Sequence, residues 1–367
     1  MSNQDNHPNK FIELRSRCKY YIDACNALYQ LKTEKEEELN SIYKMIKTEL
    51  IDSMIWHPYD IIRDILNFIP FNNRYLKSYL FLIKQIYDDY QVRDILNVLT
   101  VPKFLFYKEY GIKLNKSDNF ENTKFENLDI HEEDTIYRAI MYNDLKRFIS
   151  FTEREGFDKD QKLKSQLYPY SYNEYSFLEL CCYHGAVDCF KFLRTKFNSK
   201  ITETCLRFSF LGGNPEIMSE CLKYQKPDEA CMGYAIISHN IDFVTFLMNE
   251  HNIKIDLEYC GKYKNLESFL VYFDQTNDIN KCFVQSVMFN ISSLCEYFLS
   301  HGANINEKYN EKTALFYAAE FNSKETAKLL ISKGANINEK YYGETLLCYA
   351  AEYNIGCPKV RLAQRSI

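Results

Sequence analysis

Cys181, Cys182, His184 and Cys189 crowd into one short stretch, and four such side chains are what a tetrahedral zinc site takes. Structural zinc sites, however, join two ligand pairs of tight internal spacing. No second pair follows here, and no CxxC occurs anywhere in the chain. The cluster therefore reads as core residues on a pair of helices. The 13 cysteines are odd in number and scattered, and Cys189, Cys221 and Cys295 fall inside apolar helical patterns. That usage fits a reducing compartment in which thiols act as small apolar groups. No phosphate-cradling GxxxxGKS/T or GxGxxG is present, and no HExxH, GxSxG or kinase set. The 7 histidines are dispersed: His7 is near the start, His57 precedes Pro58, and His301 sits beside Gly302, where a helix C-terminus favours it. The expectation is a protein that is not an enzyme, with no catalytic residue, no cofactor and no metal.

Composition narrows the partners. A net charge of −5 with no long basic run lacks the electrostatic footprint of a nucleic-acid binder. The most apolar stretches, YLFLI at Tyr79–Ile83 and FLFY at Phe104–Tyr107, are far shorter than the roughly 18 residues of a membrane span. The polar opening MSNQDNHPNK has no signal-peptide core, and no lipidation motif is seen. A cytoplasmic protein is expected, with the nucleus open, no nucleic acid and no membrane span; oligomeric state is not legible. With 46% apolar residues over 367, the chain has enough material for two or three packed cores.

The elements that organise it announce themselves as a repeat. GANINEK occurs at Gly302–Lys308 and again at Gly334–Lys340, and TALFYAAEFN from Thr313 matches TLLCYAAEYN from Thr345, a period of 32 residues. Ala314–Phe321 has small and apolar residues at helical spacing, with Ala318 and Ala319 allowing close packing. Asn322–Ser323 breaks that helix, Ser323 is placed to cap the next, and Thr326, Ala327, Leu329, Leu330 and Ile331 give the second helix its apolar face. Gly334 ends it, and the polar loop projects as an extended hairpin. One such helical pair cannot bury its own apolar face, so stacking on neighbours must stabilise it.

A degenerate form of the pattern runs upstream. An acidic residue opens DLKRFI at Asp144, DCFKFL at Asp188, EIMSECL at Glu216 and DFVTFL at Asp242; LCEYFL follows at Leu294, with room for one further unit around Leu266–Phe273. Between Phe151 and Phe177 a charged and then Tyr-rich stretch interrupts the array. It reads equally as a contact surface and as a solvated spacer.

The clean segment resembles the ankyrin repeat. TALFYAA stands where that family has T-P-L-H-x-A-A, and KLLISKGANIN stands where it has its V-x-x-L-L-x-x-G-A-x-x-N run. Ala314 and Leu346 replace the proline, and Phe316 and Cys348 replace the histidine, so the family's Thr–His hydrogen bonding is unavailable and packing must carry more. From His131 to Glu307, on LELCCYHGAVDCFKFL and SHNIDFVTFLMNEHNIKID, the chain also resembles the uncharacterised helical module that precedes ankyrin repeats in a large expanded protist family. That resemblance implies ankyrin-type folding and protein binding, without an assigned activity.

The fold expected is therefore all-α: a helical solenoid of ankyrin-like helix-turn-helix repeats preceded by an N-terminal helical region. Residues 1–112 form that N-terminal region and 113–130 a linker. The degenerate repeats span 131–300, two recognisable repeats 301–355, and an irregular tail 356–367. Within the first region, 10–31 and 34–56 read as amphipathic helices, with KTEKEEE at Lys32–Glu38 a solvated face or junction. Pro58 starts another helix with Ile61, Ile62, Ile65 and Leu66 inward, Lys77–Tyr90 is a further one, and Thr100–Pro102 marks a break. PYDIIRDILNFIP faintly resembles the helical box by which adaptors dock onto ubiquitin-ligase scaffolds. After AAEYN the chain reads IGCPKVRLAQRSI in place of another SKETAKLLI, which implies a frayed last repeat or a shortened family member.

The function expected is a protein-interaction scaffold, with an adaptor role in ubiquitin ligation as the alternative. Its contact residues are expected on the outward first-helix positions Tyr317, Glu320 and Phe321, matched by Tyr349, Glu352 and Tyr353, with the alternative that some of these rings pack between repeats. Lys308, Tyr309, Lys340 and Tyr341 in the loops are the second set.

Overall fold

The computed structural model describes residues 10–120, 125, 127, 128, 130, 132–170 and 172–353, the last three by backbone alone. The expected tail, 356–367, lies outside the described residues, as do 121–124, 126 and 129 of the linker. Among the described residues helices dominate, with three two-stranded antiparallel hairpins between them. Among the described residues no helix is long and apolar enough to cross a membrane.

The chain divides into two compact units. One comprises the residues up to Cys25, Thr48–Trp56 and everything from Ile255; the other comprises Asn26–Lys47 and His57–Lys254. These divisions fall elsewhere than the sequence boundaries at 112 and 130, because pieces of the N-terminal region pack with different sets of repeats.

The first six helices are shared between the units, Lys10–Arg17 lying in the smaller and the four from Glu36 to Tyr110 in the larger. Lys10–Arg17 is α1, Lys19–Tyr29 α2, Glu36–Ile46 α3, Pro58–Phe68 α4, Leu76–Tyr90 α5 and Thr100–Tyr110 α6. A π-helix, Lys47–Ile51, extends α3. His57 caps α4, its Nδ1 accepting from Tyr59 N at 3.2 Å, and Pro58 takes the first helical position. Ile61, Ile62, Ile65 and Leu66 are buried as their spacing predicts. Thr100–Pro102 does not break the chain; it opens α6, since proline in a first turn forfeits no helical bond.

Paired helices follow in the larger unit: α7 (Ile136–Met141) with α8 (Leu145–Thr152), α9 (Phe177–His184) with α10 (Val187–Phe197), α11 (Glu203–Gly212) with α12 (Pro215–Leu222), and α13 (Glu229–Ile237) with α14 (Ile241–His251). First helices pack on first helices, α7 on α9, α9 on α11 and α11 on α13, while α8, α10 and α12 form the second row. Side-chain caps start most of them, from Asp144 on Arg147 N to the reciprocal capping box of Ser176 and Glu179. The stretch that interrupts the array is a β-hairpin, β1 (Lys162–Lys164) against β2 (Glu174–Ser176), feeding directly into α9.

The other unit continues the scheme with α15 (Leu257–Lys262) and α16 (Leu266–Thr276), then α17 (Ile279–Ser286) and α18 (Ser292–Ser300), then α19 (Ala314–Glu320) and α20 (Lys324–Ser332), and finally α21 (Leu346–Tyr353). Hairpin β3 (Lys308–Tyr309) with β4 (Lys312–Thr313) precedes α19, and β5 (Lys340–Tyr341) with β6 (Glu344–Thr345) precedes α21. Gly334 takes φ +90, the left-handed conformation its position after α20 demands. Ser323 holds the cap position of α20, yet its hydroxyl donates 3.2 Å to Val287 O of the preceding repeat. That carbonyl lies in a buried 3-10 turn and also accepts from Asn290 N at 3.0 Å, so Ser323 adds a second bond that joins the two repeats.

Candidate functional site

The tight turn between first and second helices needs a left-handed residue, and Gly185, Gly213, Asn143, Asn290 and Asn322 supply it in five repeats. In two others the residue is large. His239 (φ +53) is stacked on Tyr29 with centroids 4.6 Å apart, its Nδ1 2.9 Å from Asn26 Oδ1. Lys264 (φ +57) is 7% exposed, donates 3.1 Å to Met288 O, and lies 5.4 Å from the Trp56 ring and 5.3 Å from that of Phe321. Within each unit these side chains tie repeats to N-terminal helical segments.

The cysteine–histidine cluster is core. Cys181, Cys182 and Cys189 are fully buried, and His184 Nε2 lies 2.9 Å from Tyr168 Oη. Burial pushes Cys189 up to about 12 and Cys181 well above the ordinary thiol value, away from nucleophilic use. Among the described residues no group of three or more His, Cys, Asp and Glu is placed to hold a metal ion.

The ring positions expected on the outer face turn inward. Tyr317 is 4% exposed and Tyr349 2%. Both rings, with Tyr341, surround the ammonium of Lys312 at centroid distances of 5.4, 5.4 and 5.1 Å. Glu320 closes the cage: its Oε2 lies 2.7 Å from Lys312 Nζ and accepts from Tyr349 Oη at 3.0 Å. Phe316 packs edge-on to Tyr349 at 5.3 Å, occupying the place where the family's histidine would bond threonine. Thr313 Oγ1 accordingly has no partner among the described residues, while Thr345 Oγ1 finds Cys348 Sγ at 3.2 Å. The inward turn has a physical cause. The repeat period brings Tyr349 alongside Tyr317, and a cation supplied by the chain itself draws both rings and one carboxylate around it.

Of the remaining expected contact residues, Phe321 is half-buried over Lys264, and Tyr309 is half-buried over Lys281 at 4.8 Å. Lys308 is exposed and pairs with Glu339 at 3.0 Å; Lys340 is exposed. The side chains of Glu352 and Tyr353 lie outside the described residues.

A second aromatic site carries no residue named from sequence, although the Tyr-rich stretch before Phe177 signals it. A cleft of about 240 Å³ opens between the β1–β2 finger, contributing Tyr170, Tyr172, Asn173 and Tyr175, and the first helices α11 (Thr204, Arg207, Phe208) and α13 (Ala230, Tyr234). Tyr175 and Phe208 lie 5.0 Å apart and Phe208 and Tyr234 5.6 Å, forming a buried aromatic floor. Tyr170 and Tyr172 stand at the rim, 48% and 74% exposed. Arg207 is held by Asp228 at 2.5 Å and Glu203 at 3.1 Å. Burial would raise the Asp228 carboxyl, but the guanidinium and the Cys231 N–H outweigh it and hold it below its usual range.

Beside this cleft the repeats are covered by the chain itself. The 69–75 turn between α4 and α5 lies against α9 and the finger: Tyr183 Oη donates 2.7 Å to Pro70 O and accepts from Asn73 N at 3.1 Å, while Asn73 Nδ2 donates 2.7 Å to Leu167 O. Phe71 approaches Tyr234 at 6.4 Å, so this turn ends at the edge of the cleft.

Two family models match parts of the chain. Residues 283–362 match the family model described as ankyrin repeats (3 copies), and residues 197–272 match a domain of unknown function, DUF3447. Among solved structures the chain is similar to the human ASB11 ankyrin repeat domain, at 15% identity over 63% of this chain and 96% of that one, TM-score 0.29. It is similar also to the ankyrin repeat domain of Bcl-3, a member of the IkappaB protein family, at 17% identity over 64% and 99%, TM-score 0.25. No curated protein matches the chain.

Proposed function

We propose that this chain, which carries ankyrin repeats preceded by a DUF3447 domain, is a non-enzymatic scaffold that binds protein partners on the finger and first-helix side of its repeats. Ankyrin repeats are in general protein–protein interaction modules, and the single observation that carries the reading to a site is the tyrosine cleft. Its floor is packed, yet Tyr170 and Tyr172 at its rim leave large rings in solvent beside an arginine, the side chains that dominate interface energetics. The fingers, through Lys308, Tyr309 and Lys340, form a second surface of the same kind, from which Tyr341 is withdrawn by its place in the Lys312 cage. Tyr317 and Tyr349 drop out of it because they are spent on Lys312.

A ubiquitin-ligase adaptor role has less support. Ile61, Ile62, Ile65 and Leu66, the apolar residues of the helix that resembles a docking box, are buried, so α4 offers no apolar face for a scaffold. The test is affinity capture from the native cell with the full chain as bait. Loss of the same partners on Tyr170→Ala/Tyr172→Ala or on Lys308→Ala/Lys340→Ala, with unchanged circular dichroism, supports the scaffold. Partners indifferent to both pairs of substitutions, or ligase components that both variants still capture, would count against it.

A further inference from the structure

We propose that the cleft between the β1–β2 finger and helices α11 and α13 receives a lysine or arginine side chain from a basic peptide segment of a partner protein. The inference rests on the scaffold reading and gives it a chemistry. Five rings, Tyr170, Tyr172, Tyr175, Phe208 and Tyr234, line the cleft with Arg207. Tyrosine faces are negative, and a cation within about 6 Å of a ring centroid is attracted to them, most strongly where water is thinned.

Charge at the rim points the same way. Arg207 is already engaged by Asp228 and Glu203, so its charge is more than matched. An anionic occupant would meet the carboxylate left over unfavourably; a cation on an extended stem would not.

The chain also shows what its tyrosines do with cations. Lys312 sits among Tyr317, Tyr341 and Tyr349 with Glu320 as counter-ion, and Lys281 lies 5.1 Å from the Tyr272 ring and 4.8 Å from Tyr309. In those cages the cation belongs to the chain. In the cleft the rings, beside an Arg207 already paired with two carboxylates, border a volume of about 240 Å³ that a lysine or arginine side chain and its neighbours in a peptide would fill.

The test pans a displayed random-peptide library on the full-length chain. Enriched peptides are expected to share a lysine or arginine, and changing it to glutamate should weaken binding about tenfold, the scale of a partly desolvated cation–ring contact. Tyr172→Ala, at a site too exposed to affect folding, and Glu203→Lys should each weaken the wild-type-selected peptides to a similar degree, with circular dichroism unchanged. No enrichment, or basic peptides that bind Tyr172→Ala as well as the parent, would overturn the inference. Acidic or wholly apolar peptides that Tyr172→Ala loses would overturn it too, yet leave the scaffold reading standing.

Discussion

Lys312 and Glu320 form an ion pair at 2.7 Å inside the ring cage of the last two repeats, with side chains only 14% and 22% exposed. Because both groups are largely shielded, removing the cation strands a carboxylate as well as opening the cage. Lys312→Ala is expected to cost about 1–3 kcal/mol, the penalty of an unmet buried polar group. Trp56, the single tryptophan, lies in the same compact unit and reports its urea unfolding. An unchanged midpoint would show the cage to be idle.

Tyr317→Ala and Tyr349→Ala should behave as core truncations. Each ring is almost fully buried, so a loss of about 3–5 kcal/mol is expected for each, with reduced helical circular dichroism under mild heating. Folded variants that merely lose a binding partner would instead place these rings at an interface.

Lys264 sets two effects against each other. Its left-handed backbone costs about 1–2 kcal/mol, which Lys264→Gly would relieve. The same change removes the bond to Met288 O and the contacts with Trp56 and Phe321, together worth about 2–4 kcal/mol. Net destabilisation and a shifted Trp56 emission are expected; stabilisation would mean the turn, not the side chain, dominates.

At Gly212 a Cβ would stand 2.1 Å from Cys182 O and 2.9 Å from Gly185 N, both backbone atoms. Gly212→Ala must therefore push α9 and α11 apart, at about 1–3 kcal/mol or more. Gly213→Ala meets nothing within 4 Å and carries only the strain of φ +73, about 1 kcal/mol. Thermal unfolding followed by circular dichroism should rank Gly212→Ala as the worse of the two.

Alkaline pH should loosen both units. Burial pushes Cys18 up to about 11 and Cys189, Cys231 and Cys295 up to about 12, against 9.0 for an ordinary thiol. Thiols raised in the fold give stability that is whole below 9.0 and drains as pH climbs toward 12, since the unfolded chain ionises first. Between pH 8 and 10 each such thiol is expected to remove on the order of 1 kcal/mol, seen as a falling urea midpoint. A flat profile would contradict their burial.

Much of the helical array is legible from local signals. Asp144 caps α8 as its place before an apolar run suggests, Gly334 ends α20, and the unit anticipated around Leu266–Phe273 is α16. The site was less legible. The alternation of tyrosines before Phe177 flags a surface, but only the β1–β2 pairing aims Tyr172 and Tyr175 at α11 and α13.

The sequence by itself determined where helices start and stop, because caps, left-handed turn residues and apolar spacing act over a few neighbouring residues. It also determined the repeat, since a period is a property of the string. The tertiary structure alone decided which tyrosines are core and which are surface. Tyr317 and Tyr172 look alike in composition. One is enclosed by a lysine, a carboxylate and rings from the next repeat, whereas the other stands on a finger with solvent on its face. Burial depends on side chains brought together from distant positions, and no local pattern encodes that meeting.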